Sequence, residues 1–373
     1  MTTRERVNKI FHYENYDRMP VIAFGYWNET LEKWHSEGHV SRADCDSYHT
    51  ASDNGEGDKN IMKQLGFDYN WSFWYGGNYE FFPRFERKTV EERPDGSIVQ
   101  TDENGLLVLV KKDVISIPAE IGTGMTGREA WEEFYKPKLI YDSKRINMET
   151  LKKINDDTDI PRGLYCGSLI GFFRNFMGVE HLSYLYADDE ELFYEIADTI
   201  GDLNYQLIND VLKANVAFDY AHFWEDICYK NGPLINPRVF RDVICPNYKK
   251  IVKLLNSNGI DLISVDCDGC IDSLIDDWLD SGVNIMFPIE VGTWNASIAP
   301  WREKYGKNLR GVGGMNKTVF AKDYKAVDAE IERLKPLVEL GGYIPCPDHR
   351  IPPDAIYENV QYYCDRFKNT FSK

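Results

Sequence analysis

The sequence predicts an α/β protein of the TIM (β/α)8 barrel type with an inserted antiparallel β meander. Apolar strand patterns alternate with helical patterns from Leu139 onward, and this alternation is typical of a parallel sheet. About eight such units can be counted, as a barrel requires. Polar residues follow each strand. An open doubly wound sheet is the alternative, but the turn near Gly25 lacks the glycine pattern of a dinucleotide-binding fold.

The elements are predicted in chain order from periodicity and from turn residues. A short helix is expected over 3–11, with Thr3 as its N-cap, and buried strands are expected over 19–24 and 67–73. Between 80 and 120, turns at Pro94–Ser97 and Asn104–Gly105 separate strand-like segments and predict the meander. We expect one barrel domain over 1–373 that carries this insertion.

The remaining elements alternate regularly between strand and helix. Strands are predicted at 164–171, 218–224, 260–265, 283–287 and 309–314 and from 342 onward, and helices at 188–214, 237–256, 271–279 and 323–340.

Composition and net charge limit the kinds of molecule that this protein is expected to bind. The chain has 373 residues, 43% of them hydrophobic, and a formal net charge of −17. A strongly acidic chain is a poor match for nucleic acid or an anionic membrane, so neither is expected as a partner. No apolar run approaches the roughly 20 residues that span a bilayer, and the first residues contain no apolar signal segment. We expect a cytoplasmic protein whose eight cysteines are reduced.

The last predicted strand ends in a dense group of chemically active side chains. Cys346, Asp348 and His349 stand within four residues, directly after the apolar segment Tyr343–Pro345. In a parallel barrel, the carboxyl ends of the strands form the catalytic face. We therefore expect chemistry here.

A second group follows the strand over 260–265. Asp266 and Asp268 are two residues apart and would share one face, while Cys267 and Cys270 have a C-x-x-C spacing. The two aspartates with His349, and with Cys346 nearby, would suit Zn²⁺ and would also accept Mn²⁺ or Fe²⁺. The alternative is that these carboxylates cap helices.

Other polar residues lie at strand ends. Glu225 and Asp226 follow the strand that contains His222, as an acid/base pair, as supports for a metal ligand, or as helix caps. Glu290 is expected to hydrogen-bond a polar substrate. Lys317 would neutralise an anionic substrate group or lie at the surface.

Arg310 falls inside a predicted strand. If it is buried there, it needs a carboxylate partner.

Short segments along nearly the whole chain carry a resemblance to a known family. They are Asp17–Val21, Trp224–Asp226, Gly232–Ile235, Asp268–Gly269, Gly282–Asn284, Pro288–Glu290, Lys304–Lys307, Gly313–Lys317 and Pro347–His349. With these segments the chain resembles the uroporphyrinogen decarboxylase superfamily, in its branch of corrinoid-linked methyltransferases. The resemblance implies a TIM-type barrel with its site at the carboxyl ends of the strands.

The resemblance implies two kinds of activity. True uroporphyrinogen decarboxylases carry an arginine-rich segment after the first strand, but here Ala23–Glu29 contains no arginine, which argues against a multiply anionic tetrapyrrole. In the methyltransferase branch, zinc is held by a His-x-Cys pair and a late Cys. The positions of the His-x-Cys pair match Asp266 and Asp268 here, and the position of the late Cys most nearly matches His349. Harder ligands would favour an oxygen donor.

The sequence and the resemblance together lead to one hypothesis. The protein is expected to be a zinc-dependent methyltransferase that moves a methyl group from a small O-methyl or hydroxyl-type donor to a corrinoid on a partner protein. The alternatives are a decarboxylase of the uroporphyrinogen type and a non-catalytic protein that binds a corrinoid or a partner. The expected catalytic residues are Glu225, Asp268 and His349; the expected substrate-binding residues are Tyr26, Trp27, His222, Glu290 and Lys317; the expected metal ligands are Asp266, Asp268, His349 and Cys346.

Overall fold

A central parallel sheet of seven strands organises the protein. The structure is a computed structural model, and it describes residues 1–51, 53–72, 74–111, 118–154 and 159–372. The strands are β1 (Ile22–Ala23), β2 (Tyr69–Asn70), β3 (Trp74–Tyr75), β4 (Lys88–Glu92), β5 (Ile98–Thr101), β6 (Leu106–Val110), β7 (Ala119–Thr123), β8 (Gly163–Tyr165), β9 (Tyr220–Trp224), β10 (Cys228–Tyr229), β11 (Gly232–Pro233), β12 (Ile263–Asp266), β13 (Ile285–Ile289), β14 (Arg310–Met315) and β15 (Tyr343–Pro347).

Helices connect most of the parallel strands. They are α1 (Thr3–Phe11), α2 (Asn28–Ser36), α3 (Arg42–Ala51), α4 (Glu56–Leu65), α5 (Arg128–Ala130), α6 (Met148–Lys153), α7 (Gly171–Asp188), α8 (Glu190–Leu212), α9 (Pro237–Val239), α10 (Cys245–Ser257), α11 (Ile275–Asp280), α12 (Val291–Trp294), α13 (Ile298–Tyr305), α14 (Tyr324–Glu339) and α15 (Tyr357–Thr370). Segments of 3₁₀ or π helix cover Trp131–Tyr135, Lys136–Leu139, Ser143–Arg145, Phe240–Ile244, Gly306–Asn308 and Lys317–Ala321.

The sheet runs in the order β15-β14-β13-β12-β9-β8-β3, and every pairing in it is parallel. A second parallel pair joins β1 to β2. Ile351, just beyond β15, donates its N–H to the carbonyl of Gly25 at 3.0 Å and accepts from the N–H of Trp27 at 3.2 Å, so this edge lies against the chain that leaves β1. The α/β class is confirmed and the arrangement is consistent with a TIM-type fold. Closure into a continuous barrel stays a prediction.

The predicted meander is seen in part. Strands β4 to β7 form a separate antiparallel sheet in sequential order, while 112–117, between β6 and β7, lie outside the described residues. Thr123 Oγ1 donates to the carbonyl of Phe176 at 2.5 Å, which ties the end of β7 to α7. The meander therefore packs beside the helix that follows β8.

Most elements lie close to their predicted positions, because their sequences combine apolar periodicity with clear end signals. Helix α1 begins at Thr3, but its N-cap is Thr2, whose side chain forms a reciprocal capping box with Glu5. Helix α7 was not predicted. Its apolar residues are too frequent for a one-faced pattern, and Gly178 interrupts it with a φ of 74°.

The parallel strands supply the centre of the core. Every residue of β9 except Trp224, and every residue of β12, β13 and β15, is buried. Burial on both faces explains why these strands read as continuous apolar runs. In the part of the chain that the structure describes, no helix has the length and apolar character needed to cross a membrane.

Candidate active site at the carboxyl ends of the parallel strands

Three aspartates meet where two neighbouring strands end. Asp226 lies two residues after β9, Asp266 is the last residue of β12, and Asp268 follows two residues later. One carboxylate oxygen from each lies within 4.8 Å of the others. We call these three residues the acid trio.

Strand register brings the acid trio together. Asp266 pairs with Trp224 across the β9–β12 ladder, so the two strands end side by side. Asp226 then adopts a left-handed backbone conformation, with φ 51°, which aspartate tolerates better than most residues. Its Oδ1 accepts the backbone N–H of Asp268 at 3.0 Å. This hydrogen bond fixes one loop against the other.

The acid trio concentrates negative charge around one buried residue, Asp266, and two half-buried ones, Asp226 and Asp268. Burial raises the pKa of Asp226, and the charge of Asp268 raises it further. Burial also raises the pKa of Asp266 well above its usual range, and the charges of Asp226 and Asp268 add to this effect. Like charges this close are not all ionised unless a cation joins them, so the cluster holds protons or a bound cation.

His349 closes the group from the far end of the sequence. Its Nε2 lies 3.1 Å from Oδ2 of Asp268. The imidazole stacks on Trp27 with ring centroids 5.6 Å apart and contacts Phe24 at 5.2 Å. Oδ1 of Asp268 is buried and has no hydrogen-bond partner among the described residues. This free acceptor is the position that a bound cation would satisfy.

Glu225 occupies a different environment from its neighbour Asp226. Its carboxylate is fully buried and accepts hydrogen bonds from the backbone N–H groups of Leu169, Ile170 and Gly171, at 3.0, 3.0 and 2.7 Å. The hydroxyls of Ser168 and Tyr248 donate as well. Burial raises the pKa of Glu225, and these hydrogen bonds oppose the rise. The carboxylate thus anchors the start of α7.

Glu290 and Lys317 border the acid trio on the side of β13 and β14. Glu290 accepts from the N–H of Gly269 at 2.5 Å, and burial, then the charge of Asp268, raises its pKa. Burial lowers the pKa of Lys317, while the carboxylates of Asp348, Glu290 and Asp268 act in the opposite direction. In the described residues, the Lys317 ammonium makes no ion pair within 4.0 Å. It can therefore meet an anionic group.

Two arginines near the acid trio were not singled out from the sequence. Arg174, on α7, lies 3.5 Å from Oδ2 of Asp226 and also donates to the Asp226 carbonyl at 2.5 Å. Arg350 is held by Asp53, yet its charge lowers the pKa of Asp266. The one sequence signal for Arg350 was its position directly after His349. Nothing in the local sequence pointed to Arg174.

Tyr26 and Cys346 are not brought to the acid trio. Tyr26 lies three residues beyond β1, and its side chain is buried against Trp34 of α2 and Tyr48 of α3. Cys346 is buried on β15 and stays outside the group of possible ligands, where Asp226 stands instead. Burial raises the pKa of its thiol well above the ordinary value.

His222 lies on β9, two residues before Trp224, and is completely buried. Its ring stacks on Trp74 with centroids 3.7 Å apart, and within the described residues neither ring nitrogen has a hydrogen-bond partner. Burial lowers its pKa well below the ordinary value, so the ring is neutral. It packs in the core beneath the site.

The C-x-x-C pair does not act as a unit in this structure. Cys267 is buried, accepts the N–H of Ile227 at 3.4 Å and interacts with Cys228. Cys270 is partly exposed, and both thiols are free.

Comparison with known proteins adds information on the fold. No protein family and no curated protein sequence matches the chain. Its fold is shared with a methyltransferase from Methanosarcina mazei. The two chains are 14% identical, each is covered over 99% of its length, and the TM-score is 0.62. A B12-independent methionine synthase from Shewanella sp. W3-18-1 is less similar, at 11% identity, 95% and 98% coverage and a TM-score of 0.46. At such identities the likeness shows the fold alone.

Proposed function

We propose that this protein is a metal-dependent methyltransferase that takes a methyl group from a small O-methyl or hydroxyl-type donor and delivers it to a corrinoid on a partner protein. The observation that carries the proposal is the acid trio with His349 at the carboxyl ends of the strands. Sites of parallel α/β folds lie at these ends. The shared fold with a methyltransferase agrees with the proposal.

The residues present fit a divalent metal ion. Asp226, Asp266 and Asp268 would offer oxygen and His349 nitrogen, a donor set that Zn²⁺, Mn²⁺ and Fe²⁺ accept. The unpartnered Oδ1 of Asp268 and the mutual repulsion of the acid trio both favour a cation. A bound ion would supply Lewis-acid polarisation of the donor oxygen.

The surrounding side chains would hold the methyl donor and stabilise the negative charge that develops on its oxygen. When the methyl group leaves for the corrinoid, the electron pair of the broken carbon–oxygen bond would stay on the donor oxygen, which would take a proton from the Lys317 ammonium. Lys317 has no ion pair in the described part of the chain and faces the acidic side of the site, so it would stabilise that oxygen. Trp27 and His349 form one wall. Glu225 is a positioning residue, because its hydrogen bonds hold the loop that carries Asp226.

One observation favours a decarboxylase as the second candidate. Arg174, Arg350 and Lys317 border the acid trio, and such cations would bind a substrate carboxylate. Two of them are already engaged, Arg174 by Asp226 and Arg350 by Asp53. Lys317 alone would have to grip the substrate, so methyl transfer is the better match.

Metal binding is the decisive test. The purified protein, Asp226→Asn and Asp268→Ala are dialysed against chelator, and Zn²⁺ and Mn²⁺ binding is titrated by calorimetry. Glu339→Gln, an exposed carboxylate on α14, is the matched control. We expect about one ion per chain in wild type and control and much weaker binding in both aspartate variants. Methoxylated donors are then screened with a corrinoid protein. Wild-type protein that binds neither ion would contradict the proposal and redirect the search to decarboxylation.

A further inference from the structure

A polar cavity lies at the amino ends of the parallel strands, at the end of the sheet opposite the acid trio. Its volume is about 520 Å³, and it opens beside the starts of β13 and β14. Its charged and polar lining residues include Asp276, Asn284, Lys304, Tyr305, Lys307 and Arg310. This size falls in the range of small-molecule sites.

Three cations gather behind this cavity around one aromatic ring. Arg302, Lys307 and Arg310 lie 5.2, 4.9 and 5.4 Å from the centroid of the Tyr13 ring. Lys307 and Arg310 also line the cavity. A cation gains only about 0.5–2 kcal/mol from an aromatic face, and one ring cannot offset the mutual repulsion of three charges.

These cations lack carboxylate partners. In the residues described, none of the three has an Asp or Glu oxygen within 4.0 Å. Arg302 donates to the Tyr13 hydroxyl at 2.5 Å and to the Gly341 carbonyl at 2.8 Å, but its Nε is buried without an acceptor. Arg310 uses its Nε on the Phe11 carbonyl at 2.6 Å. Its two terminal nitrogens remain for a ligand.

The nearby acids are mostly engaged or exposed. Asp276 pairs with Lys304 at 3.0 Å, and Asp261 contacts His12 at 3.3 Å with its side chain 64% exposed. Asp280, the other acid that lines the cavity, is exposed. Burial lowers the pKa of Arg310, and the charge of Arg302 acts in the same direction, against the opposing effects of Tyr13 and Asp261. Arg310 is half-buried and has no carboxylate partner in the described residues, an arrangement that favours a bound anion.

We propose that this cavity binds a small phosphate-bearing metabolite. Arg310 would present its terminal nitrogens as a fork, a geometry that matches phosphate oxygens, and Lys307 would add a point charge. The amide of Asn308 lines the same space and offers neutral hydrogen bonds to the organic part, whereas that of Asn284 is engaged by the Asp261 carbonyl and the Ile263 N–H. A cluster of cations in a chain of net charge −17 marks a localised site rather than general attraction for anions.

The site is separate from the acid trio. Arg310 begins β14, and Met315 ends it five residues later, just before Lys317. At the rise of a β-strand, these five steps span about 16–17 Å. The proposed anion is therefore neither the methyl donor nor its acceptor, and the inference stands independently of the proposed function.

Inorganic pyrophosphate is the probe. Its binding to metal-free full-length protein is titrated by calorimetry against sodium chloride at equal ionic strength. We expect saturable binding of one pyrophosphate, weakened about tenfold or more in Lys307→Met, an exposed position, and in Arg310→Lys, which keeps the charge but loses the fork. Lys322→Met, an exposed lysine elsewhere, should bind as wild type does.

Two results would overturn the proposal. One is no saturable binding by wild-type protein that is folded by circular dichroism. The other is binding that Lys307→Met leaves unchanged but Lys317→Met removes, which would place pyrophosphate at the acid trio.

Discussion

Nε2 of His349 lies 3.1 Å from Oδ2 of Asp268, although 81 positions separate these residues in sequence. The contact joins the loop after β15 to the loop after β12, across two intervening strands of the sheet. Trp27 stacks on one face of the imidazole while Asp268 contacts the ring edge, so the ring is held by both. His349 therefore sets the orientation of Asp268.

Replacing His349 should weaken metal binding without unfolding the protein. We expect His349→Ala to lower Zn²⁺ affinity about 10–100-fold, whether the imidazole is a ligand or only orients Asp268. Calorimetric titration measures this effect. His181→Ala, an exposed histidine on α7, serves as the control. Equal affinities in wild type and His349→Ala would remove His349 from the site.

Replacing Glu225 should lower the free energy of unfolding, even with a substitution as conservative as Glu225→Gln. In Glu225→Gln, the new amide NH₂ must face backbone N–H groups that now donate to the carboxylate. Leaving such buried donors unpaired costs about 2–4 kcal/mol of unfolding free energy. Urea unfolding at pH 7 measures it, with the exposed Glu303→Gln as control. A loss no larger than that of the control would show that the hydrogen bonds are dispensable.

The glycine that begins α7 should not tolerate a side chain. A Cβ at Gly171 would lie 1.8 Å from the carbonyl oxygen of Glu225, a backbone atom that cannot move aside. We expect Gly171→Ala to cost about 3 kcal/mol or more, or to prevent folding. Gly122→Ala on β7, where the nearest atom is 3.5 Å away, should cost far less. Thermal unfolding of the two variants, compared with wild type, tests this contrast.

Asp58 should make stability depend on pH. Its carboxylate is buried, Oδ1 has no partner among the described residues, and burial raises its pKa from 3.8 to about 6 despite hydrogen bonds from Asn54 and Asn70. Between these values the folded protein keeps a proton that the unfolded chain has lost, so stability falls as pH rises from about 4 to about 6.

Asp58→Asn removes this titration. Relative to wild type at the same pH, we expect the variant to gain about 2–3 kcal/mol on going from pH 4 to pH 7. Urea unfolding at the two pH values gives the comparison. A wild-type-minus-variant difference that stays constant with pH would contradict the raised pKa.

Much of the fold was accessible from sequence, because each buried parallel strand is a short apolar run that ends in polar residues. Strand β12 is the clearest case, since it ends at Asp266, one residue after the predicted end, although it begins at Ile263, three residues after the predicted start. Helix α7 was missed because it is apolar on most of its surface and a glycine breaks it. Periodicity fails where no polar face exists.

The site was partly accessible for the same reason. Asp266, Asp268 and His349 were predicted and meet in space, because all three stand at strand ends. Asp226 was predicted to be an acid/base, supporting or capping residue rather than a metal ligand. Only its left-handed backbone conformation shows that the side chains of Asp226 and Glu225 point to different places. Tyr26 was expected to bind substrate, yet its side chain is buried against α2 and α3. Such orientations depend on tertiary packing, which local sequence does not reveal.

Arg174 has one further consequence. Its guanidinium holds Asp226, and the same side chain lines a cavity of about 310 Å³ bounded by Gln100, Asn104 and other residues of the meander. A molecule bound in that cavity would contact Arg174, the side chain that pairs with Asp226 of the acid trio. If the proposed function holds, substitutions in the meander would alter substrate selectivity while leaving the parallel strands unaltered. Under that function, directed evolution of new specificities would best begin in this insertion, because it reaches the site through a single side chain.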